Sequence, residues 1–383
     1  MRRILVLLVI AGLAALSVGP AHALRKATNG NDVIRGNAKA NTVRAFGGHD
    51  RVSVLGGRDL VYAGSGNDSI WGGPGGDRLH LGDGTDRGYG DAGNDLLLGQ
   101  GGNDQLWGGG GRDAVHGGPA NDRIHGGPGD DDVKIGAIRG LTGSDGHDQI
   151  FGEAGNDYLL GGRGNDKAWG GDDNDLFYLG QGDDLGHGDA GNDDLYGDAG
   201  NDELHGDAGS DIIFGGFGDD LVLGGDGNDN RRRAGKPNEP GGLYGSEGND
   251  RVYGGNGNDH VSGGPGNDRV YGGAGDDELD GDMGADLLVD DTGDDDNITG
   301  DEGNDVFYMG PGRDQVYGEE GDDVIYVHND GDADRIHCND GYDRVYFVGS
   351  RDANDGIQLY GGAIDCEVVK VIPRSAAPSD WPY

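Results

Sequence analysis

What this chain has little of sets the first limits. Apolar residues make up 33% of the sequence and aromatics 7%, whereas 86 of its 383 residues are glycine. So little apolar surface, buried in one core, cannot offset the conformational entropy of a chain this long. The two or three globular domains that the length alone would permit are thereby excluded. Positive charge is also sparse: 29 Lys and Arg face 71 Asp and Glu, a formal charge of −42. That excess of carboxylate repels nucleic acid and anionic lipid, so the natural partner is a cation. No H-E-x-x-H, G-x-S-x-G, G-x-x-x-x-G-K or EF-hand loop occurs. No enzyme is expected on those grounds.

Long apolar runs are missing too, apart from Ile4 to Leu16 near the start. Arg2 and Arg3 precede that run and Ala21-His22-Ala23 follows it. The pattern is that of a secretory signal peptide over residues 1–23, and the run is too short to span a membrane comfortably. The expectation is a secreted, extracellular protein with no membrane span. Cysteine occurs twice, as Cys338 and Cys366. In an oxidising compartment such a pair is expected to form a disulfide, closing a loop of under about 30 residues and contributing roughly 3 kcal/mol. Two idle thiols, or a pair of thiolate metal ligands, are the alternatives.

What is abundant is a period. Gly161 to Trp169 reads GGRGNDKAW and Gly263 to Tyr271 reads GGPGNDRVY. The aspartate of this unit recurs every nine residues, first at Asp32, Asn41, Asp50, Asp59, Asp68, Asp77, Asp86, Asp95, Asp104, Asp113, Asp122 and Asp131. A second run holds Asp148, Asp157, Asp166, Asp175, Asp184, Asp193, Asp202, Asp211, Asp220 and Asp229. A third holds Asp250, Asp259, Asp268, Asp277 and Asp286, then, shifted by one residue, Asp296, Asp305, Asp314 and Asp323, with weaker units at Asp334 and Asp343. Two residues after each aspartate stands an apolar side chain, such as Val61, Ile70, Leu79, Leu106, Leu159, Phe177, Val252, Phe307 or Ile325. One inward residue between two outward ones is a very short strand, and the glycines around it supply the turn. A lone unit of this kind is unstable, so units must stack. Two units per coil give an all-β, right-handed parallel β-roll (a β-helix solenoid) of about 33 nonapeptide repeats. No stretch carries helical periodicity.

Stacking places the aspartates in columns at one strand spacing, about 4.8 Å. Neighbouring carboxylates then repel by roughly 3–4 kcal/mol at an effective dielectric of 20, before salt screening. The same glycine-rich turns leave backbone carbonyls unsatisfied. A hard divalent ion between coils removes both problems. Calcium accepts six or more oxygens in flexible geometry, whereas magnesium prefers water and a strict octahedron. The expected cofactor is Ca2+, many ions between stacked coils.

The unit resembles the haemolysin-type, or RTX, calcium-binding repeat G-G-x-G-x-D-x-U-x, with U a large apolar residue, over about residues 30 to 350. The resemblance implies calcium in the turns and a chain unfolded without it. Its ligands would be the aspartates from Asp50 to Asp323 named above, with carbonyls of the preceding glycines such as Gly64 and Gly66, or Gly264 and Gly266. Asn41 departs from the motif and implies a weak or absent site. Gly88, Gly186 and Arg231 fall on apolar positions and are expected to leave gaps. Asp91, Asp189, Asp198, Asp207, Asp282 and Asp301 replace the second glycine and are expected to add carboxylate to the turns. With its signal, the chain resembles short secreted calcium-binding proteins of Gram-positive soil bacteria, in which the cysteine pair looks like a cap motif.

The breaks divide the chain into a short segment (24–29), roll blocks at 30–132, 148–229 and 243–350, and a C-terminal cap (351–372). The first interruption, 133–147, reads as a degenerate repeat or insertion, through which the coil continues with a bulge. The second, 230–242, reads as a protruding basic, proline-containing loop, and residues 373–383 as a disordered tail. The short flanks leave no room for a separate catalytic domain. Outward aromatics (Trp71, Tyr89, Trp107, Tyr178, Tyr196, Tyr253, Tyr271, Tyr308, Tyr317, Tyr326) follow the apolar position. They cover a sheet face or, in the alternative reading, bind glycan or a cell surface or serve an enzyme. His187 and His205 stand one coil apart, and two ligands alone favour a plain surface pair over a transition-metal site. The expected function is calcium binding by a secreted structural or adhesive module.

Overall fold

The computed structural model describes residues 27–131, 134–135, 138–230, 241–293, 297–328, 330, 334–349 and 366–379. The signal segment, Arg231 with its basic loop, Asp296 and most of the expected cap lie outside the described residues. The chain divides into two units, Met1–Leu185 and Gly186–Tyr383. Both are parallel β-rolls, with about 16 turns in all.

In the first unit, consecutive strands alternate between two sheets, so each strand pairs with the one two units on. Arg51–Leu55 pairs with Ser69–Pro74, Val52 opposite Ile70; Leu60–Ser65 pairs with Arg78–Asp83, Val61 opposite Leu79. The register is one coil of 18 residues, because an inward residue must meet the inward residue above it. The second unit repeats the arrangement, with Leu204 opposite Val222 and Val252 opposite Val270.

The inward columns are fully buried: Val61, Ile70, Leu79, Leu106 and Phe177 in the first unit, Leu195, Val252, Phe307 and Ile325 in the second. Each strand has a second inward position two residues further on, usually the first glycine of the next unit but Ala63, Leu81 or Leu179 in places. This second position corrects the expected gap at Gly88. A Cβ there would stand 3.1 Å from Leu81 Cδ2 and 3.1 Å from Leu106 Cδ2, so the space is already filled. Leu81, on the opposite sheet, supplies the volume that Gly88 lacks.

The first interruption also differs from the expected bulged unit. The coil does not continue through a degenerate repeat; the chain leaves it after Asp131, forms a short antiparallel pair of Lys134–Ile135 with Ile138–Arg139, and re-enters at Leu141. Leu141 pairs with Val115 and Ile150 with Ile124, a step of 26 residues in place of 18. The second interruption, in the second unit, obeys the same rule. Leu243 pairs with Ile213 and Val252 with Val222, a step of 30. Each excursion opens between a buried aspartate and the next inward residue, where no strand has to be broken. A glycine with positive φ, Gly140 or Gly242, returns the chain to the sheet.

Cys338 and Cys366 form a disulfide with Cα atoms 5.4 Å apart. It ties the strand Val368–Ile372 beside Arg344–Val348. Within the span expected to be a disordered tail, residues Arg374–Ala376 form a 3₁₀ turn.

Candidate metal centre

The glycine-rich half of each unit folds into a turn in which the aspartate points back under the strand edge. Every described aspartate of the expected ligand set, Asp50 through Asp323, is at most 3% exposed. Their order follows from one repeated contact. In turn after turn the backbone N–H of one aspartate donates to Oδ1 of the aspartate one coil later: Asp50 to Asp68, Asp59 to Asp77, Asp77 to Asp95 and Asp95 to Asp113, at 2.7–2.8 Å. In the second unit Asp202 does so to Asp220 and Asp250 to Asp268. The contact survives both excursions, as Asp122 to Asp148 and Asp220 to Asp250.

Oδ2 of Asp50, Asp68, Asp77, Asp95, Asp113, Asp122, Asp250, Asp268 and Asp305 is buried with no hydrogen-bond partner. A buried oxygen left so costs about 1–3 kcal/mol, more when charged. It faces further oxygens. A Cβ on Gly72 would stand 2.6 Å from Asp77 Oδ2 and 2.9 Å from the Gly90 carbonyl oxygen, so both border one small space.

Asn41 shows what that space accepts. Its backbone N–H donates to Asp59 Oδ1, as Asp50 and Asp77 donate to the aspartates one coil on. Its side-chain NH2, with two hydrogens to share, stands within donating reach of Asp59 Oδ1 at 2.8 Å, the Asn37 carbonyl at 3.1 Å, the Val54 carbonyl at 3.5 Å and the Lys39 carbonyl. Relative to Asn41, these carbonyls sit four and two residues before it and in the following coil. By register, the corresponding oxygens around Asp77 are those of Gly73, Gly75, Gly90 and Asp95 Oδ1. Around Asp68 they include Gly64 and Gly66, and around Asp268 Gly264 and Gly266, the carbonyls expected from the motif. Where asparagine puts a donor, aspartate puts another acceptor, and the oxygens that remain suit a hard, oxygen-seeking cation.

The close stacking of these turns is why glycine dominates them. A Cβ on Gly82, whose φ is +116°, would stand 1.7 Å from the Gly64 carbonyl oxygen of the coil before it. The second-glycine aspartates tolerate positive φ, from 64° at Asp301 to 76° at Asp91. Three of their carboxylates are engaged within or beside the turns, outside the buried columns. Asp91 accepts from Gly73 N, Asp282 from Ser262 Oγ, and Asp207 lies against His187.

Burial pushes four of these column carboxyls up, with neighbouring carboxylates adding to it. Asp77 rises to about 6, Asp95 to about 7, Asp122 to about 8 and Asp131 to about 9. The backbone N–H of the preceding coil opposes the rise in each. Two end residues were not among the expected ligands. At the start, Thr28 donates from both N and Oγ1 to Asp32 Oδ2. At the far end, Asp343 N donates to Glu367 Oε2, so Glu367 takes the aspartate's place in the last coil. The Asp365-Cys366-Glu367 run carried that signal.

The family model of the RTX calcium-binding nonapeptide repeat matches in overlapping copies over residues 27–134, 141–186, 196–230, 243–288 and 290–336. The chain belongs to this RTX repeat family. The second excursion falls in a gap between matched copies, and the first lies mostly in one, between residues 134 and 141. RTX repeats bind Ca2+ in the turns of the β-roll, where the aspartate columns lie, and are generally non-catalytic. Proteins carrying them are typically secreted by bacteria. No curated protein matches this chain at a significant level.

The outward face of the first unit carries a continuous stack: Trp71, Tyr89, Trp107, His125, Phe151 and Trp169, with centroids 4.6–5.6 Å apart and planes within 11° of parallel. The interior rings cover one another's faces and leave no gap for a sugar between them. This geometry favours the sheet-covering reading over glycan stacking. Phe151 and Trp169 occupy the same repeat position as the aromatics read from the sequence. Among the described residues, no helix is long and apolar enough to cross a membrane.

Proposed function

We propose that this RTX chain is an extracellular structural or adhesive module whose roll assembles around Ca2+. The ligands are the column aspartates, Asp50 to Asp323, with the carbonyls four and two residues before each. Ions sit between coils, each taking oxygens from two of them. The carrying observation is the contrast between Asn41, whose amide satisfies its cradle, and aspartates such as Asp77, whose Oδ2 is buried among oxygens. Bound Ca2+ supplies charge neutralisation and coordination there. The residues contribute by fixing oxygen spacing, through the 18-residue register and the Oδ1 contact, and by excluding water from the cradle.

Three observations support export: the apolar run with its small-residue cleavage site, the disulfide, and a cofactor scarce in cytosol but plentiful outside. A chain that stays unfolded until it meets calcium is suited to translocation, since the ion stabilises only the folded state. The test is circular dichroism during a calcium titration of the purified chain, with magnesium as control. β-Signal should appear with calcium, not with magnesium, and vanish on chelation. A chelated chain that keeps its full signal at neutral pH would overturn the reading.

A further inference from the structure

Outside the aspartate columns, one group of three metal-capable side chains converges among the described residues: His187, His205 and Asp207, with one ligand atom from each lying within 4.8 Å of the others. The fold creates it simply. His205 and Asp207 lie two residues apart on the strand Glu203–Ala208 and therefore share its outward face. His187 occupies the position of His205 one coil earlier, and the two imidazoles stack at 4.1 Å between centroids. Asp207 reaches back across the coil, so that its Oδ2 stands 2.9 Å from His187 Nδ1. Glu203 Oε1 stands 3.1 Å from His205 Nε2. A carboxylate on one ring nitrogen is the usual partner of a metal-ligating imidazole.

We propose that His187, His205 and Asp207 bind a transition-metal dication of the zinc class, separately from calcium. Two imidazoles and one carboxylate are borderline ligands that suit zinc, copper or nickel, whereas calcium and magnesium take oxygen. Three protein ligands leave a fourth tetrahedral position for water. His187 is 25% and Asp207 38% exposed, so the ion has a path in from solvent. Asp207 also joins the site to the roll. It occupies a second-glycine position, where positive φ turns its side chain to the outer face while its carbonyl stays among the turn oxygens. The site therefore requires the folded coil and is absent from the unfolded chain. For comparison, His125 with Glu153 in the first unit offers one imidazole and one carboxylate at 3.0 Å and should hold zinc at least about tenfold more weakly.

The test uses the full chain without an affinity tag, held folded in saturating calcium, with zinc chloride as the probe in calorimetry. One zinc per chain should bind, and His187→Ala or His205→Ala should each weaken it by at least about tenfold. His80→Ala, which removes an outward histidine stacked on Tyr62, should leave it unchanged. Calcium-dependent circular dichroism of each variant reports its folding. Histidine-ring NMR of the unsubstituted chain gives an answer independent of any variant: zinc should shift two of the 11 imidazoles first. No zinc bound under these conditions, affinity unchanged in both alanine variants, or zinc shifts spread over unrelated histidines would overturn the proposal. A chain that failed to fold on calcium would be seen in the dichroism and would count against the calcium reading alone.

Discussion

Asn41 and Asp77 hold the same place in the repeat, in the same unit, and meet their surroundings in opposite ways. Both backbone N–H groups donate to the next aspartate's Oδ1. The Asn41 amide then bonds the carbonyls around it, whereas Asp77 Oδ2 meets them as one more acceptor. A single nitrogen-for-oxygen exchange thus separates a turn that closes by itself from one that needs a positive charge. On the proposed function, the demand for calcium resides in the chemistry of one side-chain atom per turn, not in the coil's backbone path.

The comparison can be pressed hardest with several exchanges at once. Changing Asp59, Asp77, Asp95 and Asp113 together to Asn should convert four successive turns of one column to the Asn41 type. In chelator the variant should retain substantial β-signal where the parent has little. In calcium it should bind correspondingly fewer ions, counted by equilibrium dialysis. Equal unfolding of both in chelator would break the comparison.

Protonation makes the same exchange reversibly, because a neutral carboxyl carries a donor. The folded-state values, about 6 for Asp77, about 7 for Asp95 and about 8 for Asp122, lie above the ordinary 3.8. A raised folded value means that the metal-free roll binds protons more tightly than the unfolded chain does. Its stability from these groups is full below about pH 3.8 and is lost as pH rises through about 6–8. Chelated protein should therefore gain β-signal on acidification from pH 8 to pH 4, and bound calcium should be displaced over the same range.

Packing and capping give smaller effects. Leu81→Ala in calcium should cost about 2–5 kcal/mol in chemical denaturation, because Gly88 opposite offers nothing to fill the hole. Reducing the Cys338–Cys366 bridge should cost roughly 3 kcal/mol or less, confined to the C-terminal coils. The smallest change is Asn41→Asp, which should add one bound calcium and lower the residual structure left in chelator only locally.

Much of this was legible in the sequence. The nine-residue period fixes both the strand pairing and the two acidic columns, since each depends only on residues at constant spacing. Val61, Ile70 and Leu106 could be placed inward from alternation alone. What could not be read depends on contacts across the core or between coils. Leu81 compensates for Gly88 only because two sheets face each other, a pairing that periodicity does not reveal. The excursion after Asp131 is eight residues longer than a regular step, and its length mimics a worn repeat; only the pairing of Val115 with Leu141 shows that the chain leaves the coil. Asp207 looks like one more turn carboxylate until its φ of 69° turns it toward His187. The Asp365-Cys366-Glu367 run stood out in the sequence, but the 24-residue step from Asp343 gave no period by which to place Glu367 in the column.

The most direct test of the central claim is an ion count against structure for the parent and the four-asparagine variant, by calcium titration at neutral pH with dichroism and dialysis read together. The account predicts that β-signal rises with ions bound, and that the variant needs fewer of them for the same signal. Full signal in the parent with no ion bound, or the same ion demand in both chains, would contradict it.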